Sequence, residues 1–350
     1  MIAAQAYILR ATGKSPDLED IFVSDQLTKG QVRLRILYSG LCATQMEEIF
    51  VSSRNAEHMP HMFGHEAVAI VRDIGPGVLT KKIGDICVVH WRKSSIGLDS
   101  QPGSYFSGNK QVKSGKVVTF STDVVVPENR VSHLPPGVSH ESGVLLGCAL
   151  TTGWGSVVKV GQFSPGESLL VIGLGAVGVF SVLAAKQLGS RSVIGIDPKA
   201  AIISKVKQIG LDEFFPSLQR YFHGERYARH DRSTRPDLVI ETSGDAGVIE
   251  SLVDWLPVTS RLVLVGMPRE SARPRINTQR MLDGLKLLAS NGGEVDPGLD
   301  LESGSSLLMQ GANGVGALKI RVLPADAIAD ALTNFPTHGL TRFVLKMSSI

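Results

Sequence analysis

The sequence predicts an α/β protein of two units, a mostly β unit joined to a doubly wound parallel-sheet unit. Three observations carry that expectation. The chain has 350 residues, too many for one ordinary core at roughly 150 residues per domain. Short strand-like segments dominate its first third, and that character ends near Leu150. From Ser168 the pattern becomes strand, glycine turn, helix, strand, as in a parallel sheet covered by helices.

Taken in order, residues 32–38 alternate apolar and polar side chains, and residues 67–74 are a mainly apolar run. Both patterns read as strands, the second buried on two faces. Gly84 and Asp85 turn the chain into a further strand over Ile86–His90, and residues 75–77 and 135–137 are Gly/Pro turns. Residues 94–116, rich in Gly, Ser and Lys, read as a long surface loop or hairpin. In the second unit a strand over Ser168–Ile172 is followed by a glycine turn at 173–178, a helix over 179–188 and a strand over Ser192–Ile196. Apolar runs at 238–240 and 261–265 supply further parallel strands. After about Leu288 the chain reads as irregular, and it closes with a helix over 325–335 and a strand over 342–347.

Composition narrows the function classes. Hydrophobic residues make up 43% and charged residues 20%, the range of a chain that buries a core. The 36 basic residues against 33 acidic ones leave a net charge of +3 and are scattered, so no nucleic-acid partner is expected. A local basic excess from Arg220 to Arg235, including Arg226, Arg229 and Arg232, reads as a solvated surface element. No apolar run reaches the roughly 18 residues that cross a bilayer, and the N-terminus lacks a long apolar core. The expectation is a cytoplasmic protein with no membrane partner. Cys42, Cys87 and Cys148 form no disulfide framework, and free thiols suit a reducing compartment, as core residues, metal ligands or nucleophiles.

The strongest motif is Gly173-Leu174-Gly175-Ala176-Val177-Gly178. A G-x-G-x-x-G alone also marks ordinary turns. Here it follows an apolar strand and opens a helix, and Asp197 stands at the end of the next strand, which is the setting of a dinucleotide fingerprint. Gly173 permits the tight turn, Gly175 lets the backbone approach a pyrophosphate, Gly178 lets helix and sheet pack, and the helix N-terminus at Ala176 and Val177 faces the phosphates. A carboxylate at Asp197 would bind the ribose hydroxyls and repel a 2′-phosphate, favouring NAD over NADP, although nearby Lys199 weakens that preference. The alternative is a purely structural glycine turn.

The opening of the buried strand poses a second question, because His65 and Glu66 stand side by side at its mouth. A buried charge without a partner costs several kcal/mol, and a metal ion would answer that cost. Cys42, just after a strand, and Cys148, just before the second unit, complete a set of two sulfurs and one imidazole nitrogen, a known catalytic zinc set with its fourth position open. Singly, each has a plainer reading: Cys42 and Cys148 as small core residues, His65 as a hydrogen-bonded strand-end histidine.

With these residues quoted, the chain resembles the zinc-dependent medium-chain dehydrogenase/reductase superfamily, the alcohol, sorbitol and threonine dehydrogenase relatives. The matching elements are Gly40-Leu-Cys42-Ala-Thr44, Gly64-His65-Glu66, Gly84-Asp85, Leu146-Gly-Cys148 with Thr151-Thr-Gly-Trp-Gly155, and the glycine fingerprint, in family order across nearly the whole chain. The resemblance implies a GroES-like catalytic domain over residues 1–150 and 289–350, and a Rossmann cofactor domain over 151–288. It implies one catalytic zinc ion (Zn2+) held by Cys42, His65 and Cys148, with Glu66 behind them or as an alternating fourth ligand. Thr44 falls on the hydroxyl that relays the substrate proton, and Arg342 on an arginine that contacts the cofactor pyrophosphate. Relatives assemble through their cofactor domains, so a homo-oligomer, dimer or tetramer, is expected.

Three departures from the family pattern matter. The four-cysteine structural zinc lobe is missing, since residues 94–116 contain no cysteine, so one zinc per chain is expected. Where many relatives carry Asp and His after the Thr44 position, this chain has Gln45 and Glu47, which leaves Glu47, Glu48 or water as the proton exit. His90-Trp91-Arg92 follows the strand that delivers pocket residues in the family: Trp91 is the expected pocket wall, with His90 and Arg92 either hydrogen-bonding a polyhydroxylated or anionic substrate or merely packing at the strand end. The function implied is hydride transfer between a secondary alcohol (a polyol, sugar or cyclitol being the candidates) or the matching ketone and NAD. The rival readings are a zinc-free quinone or enoyl reductase of the same superfamily and a non-catalytic dinucleotide-binding protein.

Overall fold

The computed structural model describes residues 1–51, 58–199, 208, 210–223, 235–268, 271–309, 318–335 and 340–349. Arg226, Arg229 and Arg232 of the basic stretch lie outside the described residues.

Two antiparallel-rich sheets build the first unit. A five-stranded sheet runs in the order His61–Met62, Ile2–Leu9, Asp17–Val23, Tyr105–Ser107, Lys110–Val112. A seven-stranded sheet has Gln31–Leu41 near its centre, antiparallel to both Glu66–Ile74 and Asp123–Pro127. Side chains from both sheets, among them Ile8, Ile21, Leu34, Ile36, Val71 and Phe120, fill one apolar cluster. The region expected as loop or hairpin contains the hairpin Tyr105–Ser107 with Lys110–Val112.

The second unit is a six-stranded, all-parallel sheet in the order Glu213–Phe215, Ser192–Ile196, Ser168–Ile172, Leu238–Glu241, Arg261–Leu264, Lys286–Ala289. Ser168–Ile172 is buried at every residue, as expected for a strand covered by helices on both faces. Strand order doubles back beside this strand, so a crevice opens at its carboxyl end, the usual ligand position in open parallel sheets. The helix Ala176–Gln187 starts there.

The C-terminal strands Lys319–Pro324 and Thr341–Lys346 return to the first unit, where Phe343, Val344 and Leu345 pair with Leu41, Gly40 and Ser39. That pairing brings Arg342 within reach of the residues that follow Leu41. One expectation needs correcting: the stretch after Leu288, read as irregular, contains the helix Pro297–Met309. Its two glycines and three serines masked the helical period, but proline at the first helical position was a start signal. Leu301 and Leu307 join a cluster with Leu145, Leu150 and Phe180, packing the two units together.

Among the described residues no single helix is long and apolar enough to cross a membrane. The bent apolar run His140–Gly147 and Ala149–Val160 is core, with Leu145, Leu146, Leu150 and Val157 fully buried.

Candidate active site

Three loops converge where the units meet. Cys42 ends the strand Gln31–Leu41 and caps the helix Ala43–Phe50. His65 immediately precedes the strand Glu66–Ile74. Cys148 links a single helical turn, Val144–Gly147, to the helix Ala149–Gly155. One ligand atom from each of the three lies within 4.8 Å of the others, and all three residues keep some surface open.

The protonation of this cluster is strongly biased. A hydrogen bond from the Cys148 thiol, together with the nearby Arg342 and His65, holds the Cys42 thiol well below its ordinary range. The same bond, with burial, pushes Cys148 well above its own. The two thiols therefore titrate as a pair, with Cys42 the more acidic. Burial lowers the basicity of His65, but its hydrogen bond to Cys42 and the thiolate charge outweigh that and raise its pKa. A divalent cation between them would take the place of the protons, because metal ligands are thiolate and neutral imidazole.

Glu66 sits behind this cluster with 0% exposure. Its Oε1 pairs with the Arg342 guanidinium, whereas its Oε2 and Arg342 Nε have no hydrogen-bond partner. Burial raises the Glu66 pKa against the opposing pull of Arg342. Orphaned polar atoms at this depth are rare in folded proteins; Glu66, expected behind the ligands or as a fourth one, is not among the residues whose ligand atoms lie within 4.8 Å of one another. The donor set and the unsatisfied carboxylate both fit zinc. Arg342 was expected at the cofactor pyrophosphate; it lies 6% exposed and engaged with Glu66.

Thr44 Oγ1 lies 3.7 Å from Cys42 Sγ, half-buried at the mouth of the cluster. Glu47 is half-buried on the same helix, and Glu48 is turned to His61, 3.0 Å from its Nε2. The chain departs from one expectation at His90. That residue is 1% exposed, its Nδ1–H donates to the Arg92 carbonyl at 2.7 Å, and its Nε2 meets the Ser132 hydroxyl at 3.0 Å. Both ring nitrogens are used inside the protein, so none is left for a substrate. Burial keeps the ring neutral, with its pKa pushed down to about 4. Arg92 likewise reaches the Val295 carbonyl at 2.9 Å and the Glu294 carboxylate at 3.2 Å. Trp91 is half-buried against Gly292, with the Arg92 guanidinium 5.8 Å from its ring centre.

At the fingerprint, Gly173 adopts φ +85°, and a Cβ there would fall 2.5 Å from the Thr242 hydroxyl. A Cβ on Gly178 would lie 2.0 Å from the Gly173 carbonyl oxygen, so only glycine lets the helix begin this close to the strand. Gly175 precedes the helix, leaving its first N–H groups, at Ala176 and Val177, without a side-chain cap. Asp197 Oδ2 accepts the Leu174 N–H and its Oδ1 the Lys199 N–H, each at 2.9 Å. The carboxylate expected at the ribose thus also clasps the glycine loop.

Sequence reasoning named Gln45 only as a departure from the family pattern and did not foresee its contact with His65. Gln45 lies 2.5 Å from His65 Nδ1 through its amide nitrogen. A groove of about 650 Å³ opens beside His65, with Glu48, His61, Gln101, Gln111 and Lys113 in its wall. The signal for Gln45 was its place three residues after Cys42, one helical turn on.

Residues 28–136 match the alcohol dehydrogenase GroES-like domain family, and residues 176–299 match the zinc-binding dehydrogenase family. The chain is 25% identical to alcohol dehydrogenase 1 of Trifolium repens, over 99% of this chain and 98% of that protein. Its fold superposes on an alcohol dehydrogenase zinc-binding domain protein from Burkholderia ambifaria with a TM-score of 0.86 at 21% identity, covering 99% of both chains. Benzyl alcohol dehydrogenase from Acinetobacter calcoaceticus gives 0.85 at 21% identity, again over 99% of both. The two domain types, in this order around a three-ligand cluster, are those of one family, and the chain belongs to the zinc-dependent medium-chain dehydrogenase/reductase superfamily.

Proposed function

We propose that the protein is an NAD- and zinc-dependent dehydrogenase that moves a hydride between a secondary alcohol and the nicotinamide, in either direction. The observation that carries this reading is the convergence of Cys42, His65 and Cys148 within 4.8 Å. The alcohol dehydrogenase of Trifolium repens and the benzyl alcohol dehydrogenase of Acinetobacter calcoaceticus support the alcohol as substrate class.

Cys42, His65 and Cys148 would hold the zinc, which when bound supplies a Lewis acid that lets an alcohol lose its proton near neutral pH. Thr44 would accept that proton, and Glu47 is the candidate for passing it to solvent. The N-terminus of the helix Ala176–Gln187 would receive the NAD pyrophosphate, with Gly173, Gly175 and Gly178 keeping side chains out of its way. Asp197 would take the adenosine ribose. Arg342 holds Glu66 as a carboxylate facing the cluster, a role independent of any pyrophosphate contact. Trp91 would wall the substrate site where the units meet.

The polar wall of the groove beside His65, with Glu48, Gln101, Gln111 and Lys113, favours a polyol, sugar or cyclitol over a simple apolar alcohol. A homo-oligomer joined through the cofactor units completes the reading, with the edge strand Lys286–Ala289 as the candidate contact. The test is metal analysis of the purified chain combined with turnover on polyols, sugars and simple alcohols, each with NAD and with NADP. About one zinc per chain and preferential NAD-linked oxidation of hydroxylated substrates are expected. Full turnover after complete removal of metal would end the proposal.

A further inference from the structure

Gln45 stands between two of the three cluster residues. It occupies the third position of the helix Ala43–Phe50, is 1% exposed, and follows directly from the turn that Cys42 begins. Each end of its amide is engaged: Oε1 accepts the Cys42 backbone N–H at 2.9 Å, and Nε2 lies 2.5 Å from His65 Nδ1.

Donor and acceptor matching fixes which end is which. A backbone N–H can only donate, so the amide atom facing Cys42 must be the oxygen. The atom facing His65 is then the amide nitrogen, which also only donates. His65 Nδ1 must accept, and a neutral ring in that setting carries its hydrogen on Nε2. With Nδ1 occupied by Gln45, Nε2 is the nitrogen left for a metal. A metal needs that nitrogen bare, and a metal-bound neutral imidazole carries its hydrogen on the other nitrogen, which ordinarily donates to a carboxylate, carbonyl or water. At Gln45 it would instead meet an N–H. Turning the amide over does not remove the conflict, because the NH2 group would then face the Cys42 N–H.

We propose that Gln45 is a positioning residue of mismatched polarity: it orients the His65 ring, yet offers Nδ1 a donor where a bound metal calls for an acceptor, and so keeps zinc affinity below what the same three ligands would otherwise give. The proposal rests on the reading of Cys42, His65 and Cys148 as the zinc set. A carboxylate at position 45 presents oxygen at both ends and satisfies both neighbours at once. Partners of metal-bound histidines typically set affinity by 10 to 100-fold, so the Gln45→Glu variant should bind zinc at least about tenfold more tightly than the native chain.

Two measurements on the full chain test this. Zinc affinity is read by competition with a chromogenic chelator for the native chain and Gln45→Glu. The tautomer of His65 is read by nitrogen NMR on the native, metal-free, 15N-histidine-labelled chain, its resonance identified by its loss in His65→Gln. A tighter Gln45→Glu together with an Nε2–H tautomer in the native chain supports the proposal. Zinc affinity within about threefold of native in Gln45→Glu, far below the expected range, overturns it. So does an Nδ1–H tautomer, even if Gln45→Glu binds more tightly, since added charge alone could then account for the gain. If Gln45→Glu does not fold, the native tautomer decides. A native chain that binds no zinc would overturn the zinc reading itself, an outcome distinct from native zinc binding with an unresponsive position 45.

Discussion

The glycine loop and the thiol cluster solve the problem of buried polar groups in opposite ways. At the loop the groups that fix its shape have partners within the chain, and only the first N–H groups of the helix, at Ala176 and Val177, lack a side-chain cap. Asp197 accepts the Leu174 N–H, the Thr242 hydroxyl donates to the Gly173 carbonyl at 2.9 Å, and the Gly173 N–H reaches the Ile196 carbonyl at 2.8 Å. At the cluster Glu66 Oε2 and Arg342 Nε stay unpaired. The loop is a finished scaffold that a ligand settles upon. On the zinc reading proposed above, a cation would complete the cluster, because unpaired charge at low dielectric carries a large penalty.

The hardest blow to this contrast would come from the cluster side. A Cys148→Ser substitution removes one soft ligand while keeping the side chain small and polar. Zinc content should fall from about one ion per chain to a small fraction of that. Turnover should drop about 10³-fold or more, corresponding to roughly 4 kcal/mol of lost transition-state stabilisation. Dinucleotide binding, followed by fluorescence, should change little, since the loop holds its own hydrogen bonds. Loss of dinucleotide binding alongside zinc would show that the two regions form one cooperative site, and the contrast would fail.

The same difference decided what could be read from the sequence. The fingerprint was legible residue by residue because its parts, Gly173 to Gly178 and Asp197, are local and each answers to backbone geometry. The strands Ser168–Ile172 and Ser192–Ile196 were bounded as the structure has them for the same reason, since a strand buried on both faces is a continuous apolar run. Cys42, His65 and Cys148 are far apart along the chain and could be grouped only through the chemistry that two sulfurs and a nitrogen share. What escaped was contact chemistry. Nothing in the order of residues says that His90 spends both ring nitrogens on Arg92 and Ser132, or that Arg342 turns to Glu66 and Arg92 to the Val295 carbonyl. Those partners are set by register between strands remote in sequence, such as the pairing of Glu66 with His90.

His90 offers a second test within the catalytic unit, as the satisfied neighbour of an unsatisfied carboxylate. Its pKa is pushed down from 6.5 to about 4, chiefly by burial. A group whose folded pKa lies below its unfolded value is bound to a proton first in the unfolded chain. The folded state is therefore unaffected above about pH 6.5 and loses stability as pH falls towards 4, by at most about 3 kcal/mol from this residue. Denaturant titrations between these values should show that loss in the native chain, and a shallower one in His90→Gln, which cannot take up the proton. Equal slopes for the two chains would mean that His90 is already solvated and that the strand-end burial around the cluster is looser than its hydrogen bonds imply.

The smallest expected effect sharpens the loop side. Asp197 presents a carboxylate held in place by two backbone N–H groups, so it cannot easily swing away from a cofactor that carries an extra phosphate. Two like charges about 4 Å apart repel by about 1 kcal/mol in water and by several at reduced dielectric. Asp197→Ala should therefore improve kcat/KM with NADP relative to NAD by about tenfold, the lower end of that range. The Lys199 charge would then add attraction for the phosphate, and Lys199→Ala on top of Asp197→Ala should take back part of the gain. Zinc content should be unchanged in both. If the ratio of the two cofactors does not move, Asp197 serves only to clasp the Leu174 N–H, and the loop's selectivity must reside in the backbone itself.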